Sequence, residues 1–205
     1  MQKSTTFVYE YNGGVYVNLT NRCPNACTFC IRNNADSLGG KNLWLEHEPT
    51  SCEVIAHLKA VLQAAKVKIK EIVFCGYGEP TYRLDQVIEV SKHARMLGLK
   101  TRLNTNGLGN TINNTDITPM LKGVIDKVSI SLNASNSKDY QVLCLSEYGE
   151  NAFTELLLFA KRCVEQKITT ILSVVDVMDK LEIEKCKAIA AKLGAQLRIR
   201  KLEVV

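Results

Sequence analysis

Two periods of hydrophobic residues alternate along the chain, one typical of β-strands and one typical of amphipathic helices. The first β-rich segment, 7–19, is interrupted by Asn12-Gly13-Gly14 and predicts a hairpin, because this turn supplies the positive φ angles that tight hairpins require. Further strands are predicted at 71–75, 100–104, 127–132, 170–175 and 196–202. Helices are predicted between them, at about 50–66, 84–98, 118–122, 138–145, 152–166 and 181–193.

Strands that alternate with helices favour right-handed βαβ units and a parallel sheet. Counting the strand that ends near Leu19, the chain has six such units, too few to close an eight-stranded barrel. We therefore expect an α/β fold, an open (β/α)6 partial TIM-type barrel preceded by a short N-terminal β-hairpin. A single domain is expected to span residues 1–205. A flat doubly wound sheet is the structural alternative.

Composition and charge narrow the function classes only a little. Hydrophobic residues make up 46% of the chain and charged residues 23%, as in ordinary globular proteins. The net charge is +5, and the 26 Lys and Arg residues are dispersed, which permits an acidic partner such as RNA without indicating one. No apolar run is long enough to cross a bilayer and no signal-peptide pattern opens the chain, so we expect a cytoplasmic protein without a membrane partner.

Eight cysteines are unusual for a chain expected in a reducing compartment, where metal binding or burial is commoner than a disulfide framework. Three are bunched in Cys23-x-x-x-Cys27-x-x-Cys30, directly after the predicted hairpin. The other five stand alone: Cys52, Cys75, Cys144, Cys163 and Cys186. These five are predicted to lie mostly in the core, because a buried free cysteine behaves as a small hydrophobe, with Cys75 beside a glycine segment as a possible exception.

Three closely spaced thiolates suit an iron–sulfur cluster, although most clusters have four cysteine ligands. A four-iron cluster held by Cys23, Cys27 and Cys30 would leave one iron open for a chelating cofactor. The alternative is a structural zinc site. Such a site is closed by four protein ligands, so it would need a fourth residue such as His47 or Cys52.

The motif Cys-x-x-x-Cys-x-aromatic-Cys, with Phe29 in the aromatic place, resembles that of the radical S-adenosylmethionine (radical SAM) superfamily. The resemblance covers nearly the whole chain and is closest to the TatD family-associated (TatD-linked) radical SAM proteins, on segments 16–25, 74–80 and 129–134. It implies that the three cysteines bind a [4Fe-4S] cluster that reductively cleaves S-adenosylmethionine (SAM). The resulting 5′-deoxyadenosyl radical would abstract hydrogen from a substrate that the sequence does not identify.

The same resemblance implies SAM contacts at the carboxyl ends of the strands, where the functional groups of parallel barrels gather. Gly76-Tyr77-Gly78-Glu79 resembles the family's Gly-Gly-Glu segment with one extra residue, and polar residues follow the next two strands. The predicted cofactor-binding residues are Phe29, Gly76, Gly78, Glu79, Asn104, Ser131 and Asn133. Asn and Ser are also ordinary turn formers at strand ends, and that interpretation stays open. Asp176 and Arg32 are weaker candidates, and no catalytic residue is assigned.

An electron donor such as a flavodoxin or a ferredoxin is an expected partner, because the cluster must be reduced before it acts. A macromolecule or a partner protein is a candidate substrate, since so short a barrel would be open at its side. The competing class is a non-catalytic zinc or nucleic-acid-binding module that uses the same cysteines. Dispersed charge and an aromatic content of 6% do not favour nucleic acid, but they do not exclude it.

Overall fold

The computed structural model describes residues 3–33, 37–176 and 178–201, and its centre is a seven-stranded sheet. The strands lie side by side in chain order: β1 (Val8–Tyr11), β2 (Gly14–Val17), β3 (Glu71–Phe74), β4 (Lys100–Thr105), β5 (Lys127–Ser131), β6 (Thr169–Val175) and β7 (Gln196–Arg200). β1 is antiparallel to β2, and every later neighbouring pair is parallel. A doubly wound sheet reverses its strand order at a switch point. This sheet does not, so the structure is the predicted open barrel with a hairpin at one edge.

Helices follow the strands as the hydrophobic pattern predicts. They are α1 (Ser51–Ala64), α2 (Leu84–Met96), α3 (Gly109–Ile112), α4 (Thr118–Leu121), α5 (Ser137–Cys144), α6 (Asn151–Glu165) and α7 (Lys180–Leu193). The predicted elements are present with ends that differ by one or two residues, whereas α3 and two short 3-10 turns, Ile31–Asn33 and Pro80–Arg83, were not predicted. Leu202, the last residue of the final predicted strand, lies outside the described residues. Among the described helices, none combines the length and the apolar character that a membrane span requires.

Local sequence explains the ends of several elements. Asn12 and Gly13 both have positive φ, 47° and 75°, as the tight turn between β1 and β2 requires. The Thr50 side chain accepts a hydrogen bond from Glu53 N, and Glu53 Oε2 accepts one from Thr50 N, so α1 begins with the predicted capping box. α7 ends at Leu193 and is capped by Gly194, which has a φ of 71°.

The two faces of the sheet differ in polarity. Leu103, Val128 and Ile130 point to the helices and are fully buried in the main hydrophobic core. Alternate residues of the same strands, including Arg102 and Asn104, line a cavity on the inner face. Closed parallel barrels bury both faces of each strand and are apolar on both. The polar inner face of this sheet is therefore available for ligands.

Candidate active site

The loop of residues 18–30, which carries Cys23, Cys27 and Cys30 and is called the cysteine loop below, follows β2 and lies at the carboxyl end of the sheet, against the end of α5. Ala26 N and Thr28 N donate hydrogen bonds to the carbonyls of Cys144 and Leu143, at 3.1 and 2.9 Å. The last carbonyls of a helix have no partners within the helix, so they are free to accept donors from the loop. α5 thus fixes the backbone that carries the three clustered cysteines.

The three thiols of this loop are partly buried. Burial raises the pKa of Cys23 to about 12 and also raises that of Cys30. The pKa of Cys27 is raised first by a hydrogen bond to Cys144 and then by burial. Cys23 Sγ lies 3.9 Å from Asn106 Nδ2 at the end of β4.

No three Cys, His, Asp or Glu side chains within residues 3–33, 37–176 and 178–201 converge where one metal ion could bind. His47 Nε2 instead lies 2.9 Å from Glu53 Oε1. Cys52, predicted to be a core residue or a zinc ligand, is exposed because the first turn of α1 directs it to solvent. These placements do not favour a closed zinc site. The ligands of a four-iron cluster need not converge on one point, because each thiolate binds a different iron atom of the cluster.

The two glycines after β3 let this segment pack against the entrance of the cysteine loop. A Cβ on Gly78 would lie 2.4 Å from the Thr20 carbonyl oxygen and 2.6 Å from that of Arg22. A Cβ on Gly76 would lie 2.0 Å from Asn18 Oδ1. The space next to each glycine is therefore filled by the chain itself. Glycine is required here because two segments of the protein approach each other, in addition to any contact with a ligand.

Glu79 is buried, and its carboxylate ties three segments together. Oε1 accepts hydrogen bonds from Thr81 N, Thr81 Oγ1 and Thr105 Oγ1, at 3.1, 2.8 and 2.8 Å, and Oε2 accepts one from Asn106 N at 2.7 Å. Burial raises the pKa of Glu79, although these donors oppose the shift. Its own N–H donates to the Arg22 carbonyl at 2.7 Å. Glu79 therefore joins the end of β3 to the end of β4 and to the cysteine loop.

The other predicted contacts fall into two groups. Asn104 and Ser131 lie on the inner face of the sheet, and Asn104 Oδ1 is buried without a hydrogen-bond partner among the described residues. Asn133 is buried, has a φ of 58° and donates from Nδ2 to Cys144 Sγ at 3.5 Å. Phe29 is partly buried against the main core.

The weaker candidates have local contacts. Arg32 donates to the Asn25 carbonyl at 2.9 Å within the cysteine loop. Asp176 is exposed at the end of β6, where its N–H donates to the Arg200 carbonyl at 2.9 Å. Cys75 lines the cavity, and burial raises its pKa, whereas Cys163 and Cys186 are buried as predicted.

A cavity of about 580 Å³ unites part of the predicted site. Six of the predicted residues line it: Cys23, Gly76, Gly78, Glu79, Asn104 and Ser131. Cys27, Cys30, Phe29 and Asn133 do not line it and instead lie in or under the cysteine loop. Asn104 Oδ1, which has no hydrogen-bond partner among the described residues, and the Ser131 hydroxyl line the same cavity as Cys23, and these groups fit a polar cofactor bound next to the loop.

Sequence reasoning missed two features of the site. Arg102, Arg198 and Arg200 line the cavity, and the signal for them was the polar residue at every second position of β4 and β7. Cys144 contacts Cys27, which lies more than a hundred residues earlier in the chain. No local sequence pattern distinguishes Cys144, because any core cysteine on a short helix would occupy the same position in the hydrophobic pattern.

Comparisons with known proteins agree with this geometry. The family model described as the radical SAM superfamily matches residues 17–193. The PqqA peptide cyclase of Methylorubrum populi is 28% identical over 187 residues, which are 89% of this chain and 44% of that protein. The chain therefore spans less than half the length of this relative.

Two solved structures share the fold. A radical SAM methyltransferase from Sphaerobacter thermophilus superposes with a TM-score of 0.68 at 17% identity, over 94% of this chain and 57% of that one. Streptococcus suis SuiB bound to S-adenosylmethionine superposes with a TM-score of 0.69 at 16% identity, over 93% of this chain and 40% of that one. At these identities the likeness establishes the open barrel alone.

Proposed function

The chain belongs to the radical SAM superfamily, whose members bind a [4Fe-4S] cluster and SAM, and we propose that it is an enzyme that cleaves SAM reductively and abstracts hydrogen from a substrate. One observation carries the proposal: a loop with three cysteines lies at the carboxyl end of an open parallel barrel, with Cys23 facing the inner cavity. When bound, the reduced cluster supplies one electron that breaks a sulfur–carbon bond of SAM and yields methionine and a 5′-deoxyadenosyl radical.

Cys23, Cys27 and Cys30 are the proposed cluster ligands. Support comes from their loop, whose backbone is fixed by α5 on one side and by Glu79 N on the other. All three thiols must lose their protons when they bind iron. The backbone hydrogen bonds on both sides hold the loop that carries these thiols at the carboxyl end of the sheet.

The proposed SAM contacts lie along the cavity rim. Glu79 Oε2 accepts one hydrogen bond from the protein, so it has a lone pair left for the ammonium group of SAM. Asn104 Oδ1 and the Ser131 hydroxyl can accept hydrogen bonds from the ribose. Gly76 and Gly78 offer backbone groups at the same rim.

Phe29 and Asn133 are proposed to act from below the loop. Phe29 packs into the core next to the cysteines, and Asn133 holds Cys144 beneath Cys27. Their place in the site is therefore to position the cluster ligands. We keep the narrower assignment to the TatD-linked group as a proposal, because it rests on segments 16–25, 74–80 and 129–134 alone.

The reductant and the substrate are proposed from the same geometry. A flavodoxin or a ferredoxin would deliver the electron at the exposed edge of the cysteine loop, where Ala26 and Thr28 face solvent. The open side of the barrel would admit a peptide or another macromolecule. The name of the PqqA peptide cyclase relative supports a peptide as the substrate, although that relative is more than twice as long as the matched region.

The test is anaerobic reconstitution with iron and sulfide, followed by reduction in the presence of SAM and chromatographic assay of 5′-deoxyadenosine. Replacing Cys23, Cys27 or Cys30 by Ala should reduce the product to the level of a protein-free control. Cys163→Ala and Cys186→Ala, which alter buried thiols elsewhere, should retain it. Product formation by a protein lacking all three loop cysteines would refute the proposal.

A further inference from the structure

The inner cavity carries an excess of positive charge. Among the described residues that line it, four side chains are cationic, Arg102, Arg198, Arg200 and Lys201, and one is a carboxylate, Glu79. Arg200 already has an interaction partner. Glu79 already receives four hydrogen bonds from the protein, which offset much of its charge. A cleft with cationic lining and low-dielectric walls concentrates anions.

Arg102 has donor capacity left over. Its Nε is buried, lies 3.5 Å from Glu71 Oε2 and makes no hydrogen bond among the described residues. Glu71 is shared, because its Oε1 also lies 3.6 Å from Lys127 Nζ. One carboxylate thus faces two cations, and a guanidinium has five N–H donors to satisfy.

Arg198 reaches the cavity from the opposite side of the open barrel, on the edge strand β7. Within residues 3–33, 37–176 and 178–201, its side chain makes no hydrogen bond or ion pair. At the end of the neighbouring strand β6, the backbone N–H of Asp176 donates to the Arg200 carbonyl at 2.9 Å. The charge of Arg198 is therefore available to a ligand.

Short hydroxyl side chains lie between these arginines. Ser131 of β5 is in register with Ser173 of β6, and Ser173 is in register with Arg198. All three line the cavity. The serine side chains are short, so the inner face stays open between Arg102 on β4 and Arg198 on β7.

We propose that the substrate carries an oxyanion, a carboxylate or a phosphate, which Arg102 and Arg198 bind inside the barrel with help from the hydroxyl of Ser131. This hydroxyl can donate its proton to the oxyanion while its oxygen accepts from the ribose, whereas the Ser173 hydroxyl already donates to the Ile130 carbonyl at 3.3 Å. Guanidinium groups bind both oxyanions bidentately, so the two share one recognition chemistry. This inference rests on the proposed function, because it assigns the substrate class of the same site. SAM also has a carboxylate, and the test must separate the two.

The experiment uses the reconstituted full chain saturated with SAM, titrated anaerobically with inorganic phosphate in one arm and with acetate in the other. Isothermal titration calorimetry should detect saturable binding of at least one probe. Binding of only one identifies the oxyanion. Arg198→Gln should weaken that binding by at least about tenfold, and Arg198→Lys by less, because the charge is kept but the bidentate geometry is lost. Lys59→Gln, which removes an exposed cation on α1, should bind as the wild type does.

Three results would overturn the inference. The first is that neither probe binds. The second is that Arg198→Gln binds the probe as tightly as the wild type does. The third is that Arg198→Gln loses affinity for SAM and keeps its affinity for the probe. The same preparations are assayed for 5′-deoxyadenosine without substrate. A wild type that forms this product but binds no probe defeats the inference alone, whereas a wild type that binds the probe but forms no product defeats the proposed function alone.

Discussion

Cys144 lies under the cysteine loop and contacts one of the three loop cysteines. Its thiol is fully buried, contacts Cys27 and accepts a hydrogen bond from Asn133 Nδ2. Tyr140 belongs to the same network, because its hydroxyl interacts with the Cys144 thiol and accepts a hydrogen bond from Asn25 Nδ2 at 3.0 Å. These hydrogen bonds join the cysteine loop to α5, although Asn25 Oδ1 and Asn133 Oδ1 are buried without a hydrogen-bond partner among the described residues.

Replacing Cys144 by Ala should loosen the cysteine loop. The change removes the partner of Cys27 and leaves a buried Asn133 donor unsatisfied, which costs about 1–3 kcal/mol. We expect the reconstituted variant to lose its cluster absorbance faster than the wild type when air is admitted. Cys163→Ala, which also removes a fully buried thiol but lies away from the loop, is the matched control. Equal rates of cluster loss in the two variants would contradict a positioning role.

At the scale of elements, Asp126 joins the beginnings of two neighbouring strands to a helix. Its carboxylate accepts hydrogen bonds from Arg95 Nη1 at 2.7 Å and from Thr101 N at 2.9 Å. Thr101 Oγ1 donates to the same carboxylate at 3.1 Å. The start of β4, the residue before β5 and the end of α2 therefore share one charged group.

Asp126→Asn should destabilise the metal-free protein by about 1 kcal/mol at pH 7, a modest value because the ion pair is partly exposed. Burial opposes ionisation, but hydrogen bonds from Arg95 and Thr101 outweigh it and lower the pKa of Asp126. A lowered pKa means that the stabilisation is complete above the ordinary value of about 4 and is lost as the pH falls through the folded-state value.

Equilibrium urea unfolding at pH 7 and at pH 3.5 measures this difference. The wild type and Asp126→Asn should differ more at pH 7 than at pH 3.5. Glu165→Gln, which alters an exposed pair with Lys161, should change little at either pH. A larger difference in the free energy of unfolding at pH 3.5 than at pH 7 would contradict a lowered pKa of Asp126.

At the scale of the whole molecule, the sheet is open, and its edge strand β7 is unlike its middle. β5 pairs with β4 and β6 and is buried along its central residues, Val128 to Ile130. Among the described strands, β7 pairs only with β6, and all of its residues are exposed or half-buried. An edge strand leaves half of its backbone donors to solvent.

Hydrogen exchange followed by mass spectrometry should therefore be uneven across the sheet. Peptides from β7 should exchange at least about tenfold faster than peptides from β5, because edge strands open locally at lower free energy. Equal protection of the two strands would contradict an open edge at β7.

The sequence by itself determined the features that depend on short range. The alternation of strands and helices, the capping box at Thr50 and the turn at Asn12-Gly13 arise from the preferences of residues a few positions apart. The spacing of Cys23, Cys27 and Cys30 places three thiols on one loop whatever the rest of the chain does. These features predicted the fold class and the family.

Only the tertiary structure decided what lies next to those cysteines and what the inner face of the sheet presents. Cys144 meets Cys27 because the end of α5 packs against the cysteine loop, a contact that spans more than a hundred residues. Arg102 and Arg198 face one cavity because the sheet curves and keeps its strand order. In a flat doubly wound sheet, helices would cover both faces, and the same arginines would have no shared space for an anion.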